Sequence, residues 1–330
     1  MLPVTIAGLG WYLPEQRITN DYFAAQLDVS AGWIERATGV RERRYASAGE
    51  TSAGMAAAAA RMALASAGIH PDDLDAIVGA SAAPQQAVPC TAALIQHALG
   101  APDGGSVCWD VNATCLSFLF ALQSAAHLVA AGVYRTILIC SSEITSPSLN
   151  PNDRETRALF GDGAAAAIIT RSGADDPGAI WHTQFATFSS GAHLTEALGG
   201  GTLHHPADPA TTREHNSFRM QGMAVFKFAT RQSAPFLDRF FQTLGWERST
   251  IDLVVPHQAS RHAIDQLADR LGFRREQIYS NLAERGNCVG ASIPLALAEA
   301  VAAGRIRRGD RVLLVGTGAG LTLGGMALTF

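Results

Sequence analysis

Residues 112–140, NATCLSFLFALQSAAHLVAAGVYRTILIC, have a second copy in residues 285–316, RGNCVGASIPLALAEAVAAGRIRRGDRVLLVG. Each copy contains a helical pattern without charge over its first three turns, then VAAG and an apolar run typical of a strand. A helix without charged residues has no face suited to water, so both helices are predicted to be buried on all sides. We therefore expect a duplicated chain with two central helices.

Superposing the two VAAG segments places Cys115 opposite Asn287. Repeats of one supersecondary unit usually pack about a local two-fold axis, which would bring the two helix starts together in one pocket. A thiol at a helix N-terminus lies near unpaired backbone N–H groups and the positive end of the helix dipole, which favour thiolate. Cys115 is the predicted nucleophile.

The duplication extends upstream and supplies a third polar group. The stretch IHPDDLDAIVGASAAP (69–84) matches WERSTIDLVVPHQAS (246–260), and superposing Asp75 on Asp252 places Ala80 opposite His257. His257 follows the C-terminal end of its predicted strand, where open α/β sheets bind ligands. The sequence therefore predicts a site formed by a cysteine, a histidine and an asparagine.

Composition excludes several classes of protein. The chain has 330 residues, 48% hydrophobic and 16% charged, with a net charge of −4 and no basic block longer than RERR (41–44), which argues against nucleic-acid binding. Its five cysteines lack metal-ligand spacing and are odd in number, so we expect no structural metal, no disulfide scaffold and a reducing cytoplasmic location. Neither a signal peptide nor a membrane span is predicted.

Short apolar runs alternate with helical patterns along the chain, which is typical of sheets covered by helices. The halves join near SGADDPGA (172–179), giving predicted domains 1–175, with the cysteine, and 176–330, with the histidine and asparagine. Residues 187–217 lack periodicity and are interpreted as an excursion that covers the site. The predicted strands are 73–80, 106–111, 136–141, 164–170, 180–186, 251–256, 311–316 and 323–329.

Several motifs occur in an order that resembles one family. They are WIERATGVRERR (33–44), DVNATCLSFLFAL (110–122), NPNDRETRALFGDGAAAAII (150–169), MQGMAVFKFA (220–229), VPHQAS (255–260) and ERGNCVGASIPLALAEAVAAGRIRRGD (284–310). Over essentially its full length the chain resembles the β-ketoacyl-acyl-carrier-protein synthase III family of the thiolase superfamily. The resemblance implies an α/β fold, thiolase-like and duplicated, in five α-β-α-β-α layers.

The resemblance also implies an activity in fatty acid biosynthesis. An acyl-coenzyme A would acylate Cys115, and a decarboxylative Claisen condensation with a malonyl thioester would follow. His257 and Asn287 would donate hydrogen bonds to the enolate, a contribution of about 3 to 4 kcal/mol each. The backbone N–H groups of Cys115 and Ala319 would bind the acyl oxygen.

Further residues and partners are implied by the same resemblance. Trp33, Arg36, Arg154 and Phe226 match positions that bind coenzyme A. Val88 stands where the family often has a phenylalanine that reaches the acyl pocket of the neighbouring subunit, so we expect an acyl group longer than acetyl. The expected partners are acyl-coenzyme A as substrate, a malonyl thioester, acyl carrier protein and a second copy of the chain, with no cofactor.

Simpler interpretations exist for each residue. Cys115 fits a small buried hydrophobic residue, His257 a structural histidine and Asn287 a helix cap. Two other functions also fit the sequence. One is an acyltransferase that passes the acyl group from Cys115 to an alcohol or amine, and the other is a non-catalytic acyl-binding protein with the same fold.

Overall fold

The computed structural model describes residues 1–154 and 156–330. The strands are β1 (Val4–Tyr12), β2 (Gln16–Thr19), β3 (Glu42–Tyr45), β4 (Ala76–Ala80), β5 (Val107–Val111), β6 (Thr136–Glu143), β7 (Gly163–Arg171), β8 (Ala179–Thr187), β9 (Thr195–Glu196), β10 (Arg219–Met220), β11 (Leu253–Pro256), β12 (Arg311–Gly318) and β13 (Thr322–Thr329). The α-helices are α1 (Asn20–Leu27), α2 (Ala31–Thr38), α3 (Ser52–Ala67), α4 (Thr91–Leu99), α5 (Ser117–Ala130), α6 (Gly222–Leu244), α7 (Arg261–Asp269), α8 (Leu282–Arg285) and α9 (Ser292–Ala302). Each of the eight predicted apolar runs contains a strand.

Two sheets repeat one design. The first has the order β1-β7-β6-β4-β5 and the second the order β8-β13-β12-β11. In both, the first two pairings are antiparallel and the next is parallel. The first sheet continues to β5, whereas the corresponding edge of the second carries a parallel bridge between Val254 and Ile278.

Helices separate and cover the sheets. Helices α5 and α9 lie between them in the largest apolar cluster, with residues such as Leu119 and Leu297 packed against Ile139 and Leu314 of the inner sheet faces. Helices α3 and α4 pack on the outer face of the first sheet, and α6 and α7 on that of the second. The order of layers is α-β-α-β-α, which confirms the predicted architecture.

The alanine-rich α3 lies very close to β1 because glycine occupies the contact. A Cβ added to Gly8 would lie 2.2 Å from the Ala63 carbonyl oxygen. No real Cβ approaches a backbone atom so closely, so the small residues on both elements allow the outer helix layer to pack tightly against the sheet.

The duplication is visible in how each parallel strand pair begins. The Asp75 carboxylate accepts hydrogen bonds from the Arg135 and Thr136 N–H groups, at 2.7 and 3.0 Å, before β6. The Asp252 carboxylate accepts one from the Arg311 N–H at 2.8 Å, before β12. Asp75 and Asp252 therefore have the same role, which supports the alignment that places Ala80 opposite His257.

The alignment through VAAG is wrong at the helix starts. Helix α9 begins at Ser292, three residues later than superposition on α5 predicts. A 3-10 turn precedes each helix, Thr114–Leu116 before α5 and Val289–Ala291 before α9, and the first residue of each turn has a positive φ, 53° at Thr114 and 47° at Val289. The structural counterpart of Cys115 is therefore Gly290, because α9, with 11 residues, is three residues shorter than α5, with 14, so that alignment through VAAG shifts the helix starts.

No helix of the described residues has the length and apolar character needed to cross a membrane. The same residues contain no group of three or more histidine, cysteine, aspartate or glutamate side chains arranged to hold a metal ion.

Candidate active site

One cavity of about 350 Å³ brings the three predicted polar residues together. Cys115, His257 and Asn287 all line it, and so does Ala319. Most of the remaining wall is apolar, formed by residues that include Leu149, Phe160, Val225, Phe218, Met220, Val289 and Leu321. Such a cavity, with few polar groups in an apolar wall, is typical of a small-molecule site.

Cys115 lies in the 3-10 turn between β5 and α5. Asn112 fixes the start of this turn, since its Nδ2 donates to the Ala82 carbonyl oxygen at 2.9 Å and its Oδ1 accepts from the Thr114 N–H at 3.0 Å. The Ser117 hydroxyl donates to the Thr114 carbonyl oxygen at 2.7 Å. Side chains at both ends therefore hold the thiol at the cavity wall.

The Cys115 thiol is neutral at rest. Burial raises its pKa to about 12, and the Glu143 carboxylate raises it further, whereas hydrogen bonds from the N–H groups of Ala319 and Cys115 itself lower it. The backbone N–H groups favour the thiolate, as expected from sequence, but the loss of hydration is the larger effect on the pKa. The thiol must lose its proton as it attacks.

His257 follows β11, and its backbone N–H donates to the Val315 carbonyl oxygen at 2.8 Å. The side chain is 5% exposed, and burial lowers its pKa to about 4. The imidazole is consequently neutral near pH 7, with one N–H donor and one nitrogen acceptor. Its Nδ1 has no hydrogen-bond partner within residues 1–154 and 156–330.

The amide oxygen and the amide nitrogen of Asn287 have separate roles. Its Oδ1 accepts from the Val289 N–H at 2.9 Å and from the Ser292 hydroxyl at 3.4 Å, which caps the 3-10 turn before α9. Its backbone is paired with the segment before β7, since its N–H donates to Leu159 and its carbonyl oxygen accepts from Gly161. The amide oxygen serves as the cap, so capping leaves the Nδ2 donors free for a ligand.

Ala319 lies in the short loop that joins β12 to β13, and its N–H donates toward the Cys115 sulfur. Gly318, just before it, permits this close approach, because a Cβ there would lie 2.8 Å from the Thr114 hydroxyl oxygen. The sequence GTGAGLTLGG (316–325) is thus part of an antiparallel hairpin. The N–H groups of Ala319 and Cys115 both interact with the Cys115 sulfur, and an oxyanion site requires two such neighbouring donors.

The other predicted positions lie apart from this cavity. Phe226 lines an adjoining chamber of about 80 Å³ that shares His257 with the main cavity. Trp33 is half-buried on α2, and Arg36 and Arg154 are exposed; none of the three lines either cavity. Val88 is 79% exposed on the loop between β4 and α4, outside the cavity of its own chain.

Several residues of the site were not identified from sequence. Phe160 and Phe218 form one apolar wall, with ring centroids 5.0 Å apart and planes at 71°. Thr195, Glu196 and Ala197 border the cavity from the excursion 187–217, which is the position that its predicted covering role requires. Glu143, a fully buried acid, ends β6. Its signal is visible in ILICSSE (137–143), an acid that ends an apolar strand without a nearby base.

Comparison with known proteins agrees with this arrangement. Residues 109–189 match the family model for 3-oxoacyl-[acyl-carrier-protein] synthase III, and residues 241–330 match the model for its C-terminal part. The β-ketoacyl-[acyl-carrier-protein] synthase III of Symbiobacterium thermophilum is 39% identical over 327 residues, covering 99% of this chain and 98% of the relative.

Solved structures show the same fold. The 3-oxoacyl-[acyl-carrier-protein] synthase III of Aquifex aeolicus superposes with a TM-score of 0.89 at 35% identity, over 99% of this chain and 100% of that one. The priming β-ketosynthase of the R1128 polyketide pathway superposes with a TM-score of 0.91 at 31% identity, over 99% of this chain and 96% of that one.

The fold and site thus define a thiolase-type acyltransferase. Within that class, the chain belongs to the β-ketoacyl-[acyl-carrier-protein] synthase III family, which confirms the family predicted from sequence.

Proposed function

We propose that the chain is a condensing enzyme that extends an acyl group from acyl-coenzyme A with a malonyl thioester. The observation that carries this proposal is the single cavity shared by Cys115, His257, Asn287 and Ala319. A nucleophile, an acceptor for its proton and donors for developing negative charge are the groups that this chemistry needs.

In the first step the Cys115 sulfur attacks the thioester carbonyl carbon, and a new carbon–sulfur bond replaces the bond to coenzyme A. The neutral imidazole of His257 accepts the thiol proton and returns it to the departing coenzyme A thiolate. The N–H groups of Cys115 and Ala319 stabilise the negative oxygen of the tetrahedral intermediate. Exchange of one thioester for another needs no cofactor.

In the second step a malonyl thioester loses carbon dioxide, and the electrons of the broken carbon–carbon bond form an enolate. The N–H of His257 and the Nδ2 group of Asn287 donate to the enolate oxygen. The enolate carbon then attacks the acyl carbonyl on Cys115, and the carbon–sulfur bond to Cys115 breaks as the β-ketoacyl product leaves. The released Cys115 thiolate takes a proton from solvent, because the first proton left with coenzyme A. Both donors are uncharged, so they stabilise the enolate without protonating it at rest.

We assign an acyl donor longer than acetyl. An apolar cavity of about 150 Å³ holds a benzene molecule in other proteins. The cavity of this chain, about 350 Å³, is more than twice that size, and its wall is mainly apolar. Burial of additional methylene groups would contribute about 0.8 kcal/mol each.

The remaining binding roles are proposals of the same kind. Trp33, Arg36, Arg154 and Phe226 are assigned to coenzyme A, and acyl carrier protein is the assigned carrier of the malonyl group. A homodimer is supported by the exposed edge of the first sheet, where Val107 of β5 is 47% exposed. An unpaired edge strand of this kind is commonly covered by a second chain.

Intact-protein mass spectrometry after incubation with a panel of acyl-coenzyme A thioesters tests the proposal. We expect a mass increase equal to one acyl group, greatest for chains longer than acetyl, and its complete loss in Cys115→Ala. Cys90→Ala is the matched control, since Cys90 is also partly exposed. An acyl adduct that persists in Cys115→Ala would refute the assignment of the nucleophile.

Product analysis identifies the acceptor. Incubation of the acylated protein with malonyl-carrier protein should release carbon dioxide and a β-ketoacyl thioester. Transfer to a small alcohol or amine without carbon dioxide release would instead support the acyltransferase alternative.

A further inference from the structure

The structure contains a second position that is equivalent to the Cys115 site. Cys115 is the middle residue of its 3-10 turn, and Gly290 is the middle residue of the matching turn in the other repeat. The strands that face these turns also correspond, since β6 and β12 are both eight residues long and end at Glu143 and Gly318. Each turn therefore has a strand end as its neighbour.

Each position pairs a glycine with a larger residue, but the glycine is on the strand at the first position and on the turn at the second. At the first, the strand end is Gly318, and the free space admits the turn that carries Cys115. At the second, the turn residue is Gly290, and the free space admits Glu143, whose Oε1 lies 2.6 Å from where a Cβ of Gly290 would be. One position is open to the cavity, and the other is filled by a carboxylate.

The Glu143 carboxylate is bound entirely by backbone N–H groups. Oε1 accepts from Ala82 at 2.7 Å and from Gly290 at 3.2 Å, and Oε2 accepts from Ala83 at 3.4 Å. The Gly290 N–H is the counterpart of the Cys115 N–H, which we assign to the acyl oxygen. The fully buried Glu143 thus supplies internal acceptor oxygens to the second set of donors.

We propose that Glu143 is a positioning residue that holds the turn Val289–Ala291, and with it the Asn287 amide, in place at the cavity. This inference rests on the proposed function, because it assigns a role in its second half-reaction. The bond to Gly290 fixes the turn Val289–Ala291, and the Asn287 Oδ1 is bonded to the Val289 N–H of that same turn. Ala82 and Ala83 line the cavity, so one carboxylate connects both repeats across the site.

Glu143→Gln tests this role, since it keeps the length of the side chain but replaces one of the two accepting oxygens by an amide NH2 group, which cannot accept a hydrogen bond. Two quantities are measured for it and for the wild type: acylation of Cys115 by mass spectrometry and carbon dioxide release from a malonyl thioester. We expect acylation close to the wild-type rate and carbon dioxide release at least tenfold slower, because the Asn287 donor loses its support. Equal changes in the two half-reactions would overturn the proposal.

Asp162→Asn is the matched control. Asp162 is also fully buried and bonded to backbone N–H groups, those of Ala46, Thr145 and Ser146, but it makes no described bond to the second repeat. It should lose stability without separating the half-reactions. A separation as large as that of Glu143→Gln would contradict a specific role for Glu143.

Glu143→Asp keeps the test decisive if the glutamine variant does not fold. The shorter side chain keeps both carboxylate oxygens and weakens the bond to Gly290, so carbon dioxide release should fall more than acylation does. Unchanged carbon dioxide release, or an equal fall in both half-reactions, would overturn the proposal. Acylation of the wild type is the separate readout for the proposed function, because its absence would end that function whatever the variants do.

Discussion

The two halves of this chain share a frame and differ at a few positions that face each other. The first half has the thiol of Cys115 and the carboxylate of Glu143, and the second has the imidazole of His257 and the amide of Asn287. At the matching positions of the opposite half lie Gly290, Gly318 and Ala80. Asn287 corresponds instead to Asn112, which makes the same bond to the turn that follows it. Duplication supplies the geometry, and small residues opposite Cys115, Glu143 and His257 leave the space that each of them needs.

The largest effect is expected when the hydrogen-bond donors of the second half are removed. His257→Ala and Asn287→Ala should each slow malonyl decarboxylation about 10² to 10³-fold, because an uncharged donor to a developing oxyanion is lost. Acylation of Cys115 should be reduced much less in Asn287→Ala, since the Ala319 and Cys115 N–H groups are retained. Radiolabelled carbon dioxide release and intact mass measure the two steps, and equal losses in Asn287→Ala would break the comparison.

One buried titratable side chain in each half should make the unfolding free energy depend on pH, and the two dependences should have opposite signs. The pKa of His257 is lowered from 6.5 to about 4, so the unfolded chain binds a proton that the folded chain does not between those values. Its contribution to stability is present above pH 6.5 and is lost as pH falls through this window, by up to about 1.4 kcal/mol per pH unit. Urea unfolding of wild type and His257→Gln between pH 4 and 7 measures it.

The pKa shift of Glu143 gives the opposite dependence of stability on pH. Its pKa is raised from 4.5 to about 8, so its contribution is present below pH 4.5 and is lost as pH rises through that range. Glu143→Gln should remove this loss. The exposed His70 of the first half is the control for the histidine measurement, and a His70→Gln variant with the same altered slope as His257→Gln would contradict the assignment to burial.

Gly290→Ala tests whether the space occupied by the Glu143 carboxyl group requires a glycine at position 290. The new Cβ would lie 2.6 Å from Glu143 Oε1, which two backbone N–H groups hold, so we expect a loss of about 1 to 3 kcal/mol in unfolding free energy. Gly173→Ala, where the added carbon has no neighbour within 4 Å, should change little. Similar losses in both variants, measured by thermal or urea unfolding, would argue against a close fit.

The smallest effect, a change in acyl-chain preference, is expected for Val88→Phe. If the loop between β4 and α4 reaches a neighbouring subunit's cavity, the larger ring should reduce acylation by a long acyl-coenzyme A about tenfold relative to acetyl-coenzyme A. Acylation with paired donors measures the ratio. An unchanged ratio would exclude Val88 from the acyl pocket.

Much of this arrangement could be predicted from sequence. Uncharged helices and repeated strand patterns depend on burial and periodicity, which are local properties, so α5, α9 and the paired sheets were identified before the structure. The thiol acidity was not predictable in this way, because it depends on hydration lost in the cavity and on Glu143, which is distant in sequence. The correspondence of Cys115 with Gly290 cannot be read from the sequence, because α5 is three residues longer than α9 and the VAAG segments that follow the two helices are therefore out of register with the helix starts.

The neutral resting state of Cys115 has a consequence for chemical durability. Peroxides and electrophiles react with the thiolate form, and sulfenic acid formation follows the same preference. With a pKa raised to about 12, the side chain presents almost no thiolate to such reagents between catalytic cycles. Inactivation by oxidants should therefore be slow in the free protein, because the sulfur becomes reactive only when a substrate and a proton acceptor are in place together.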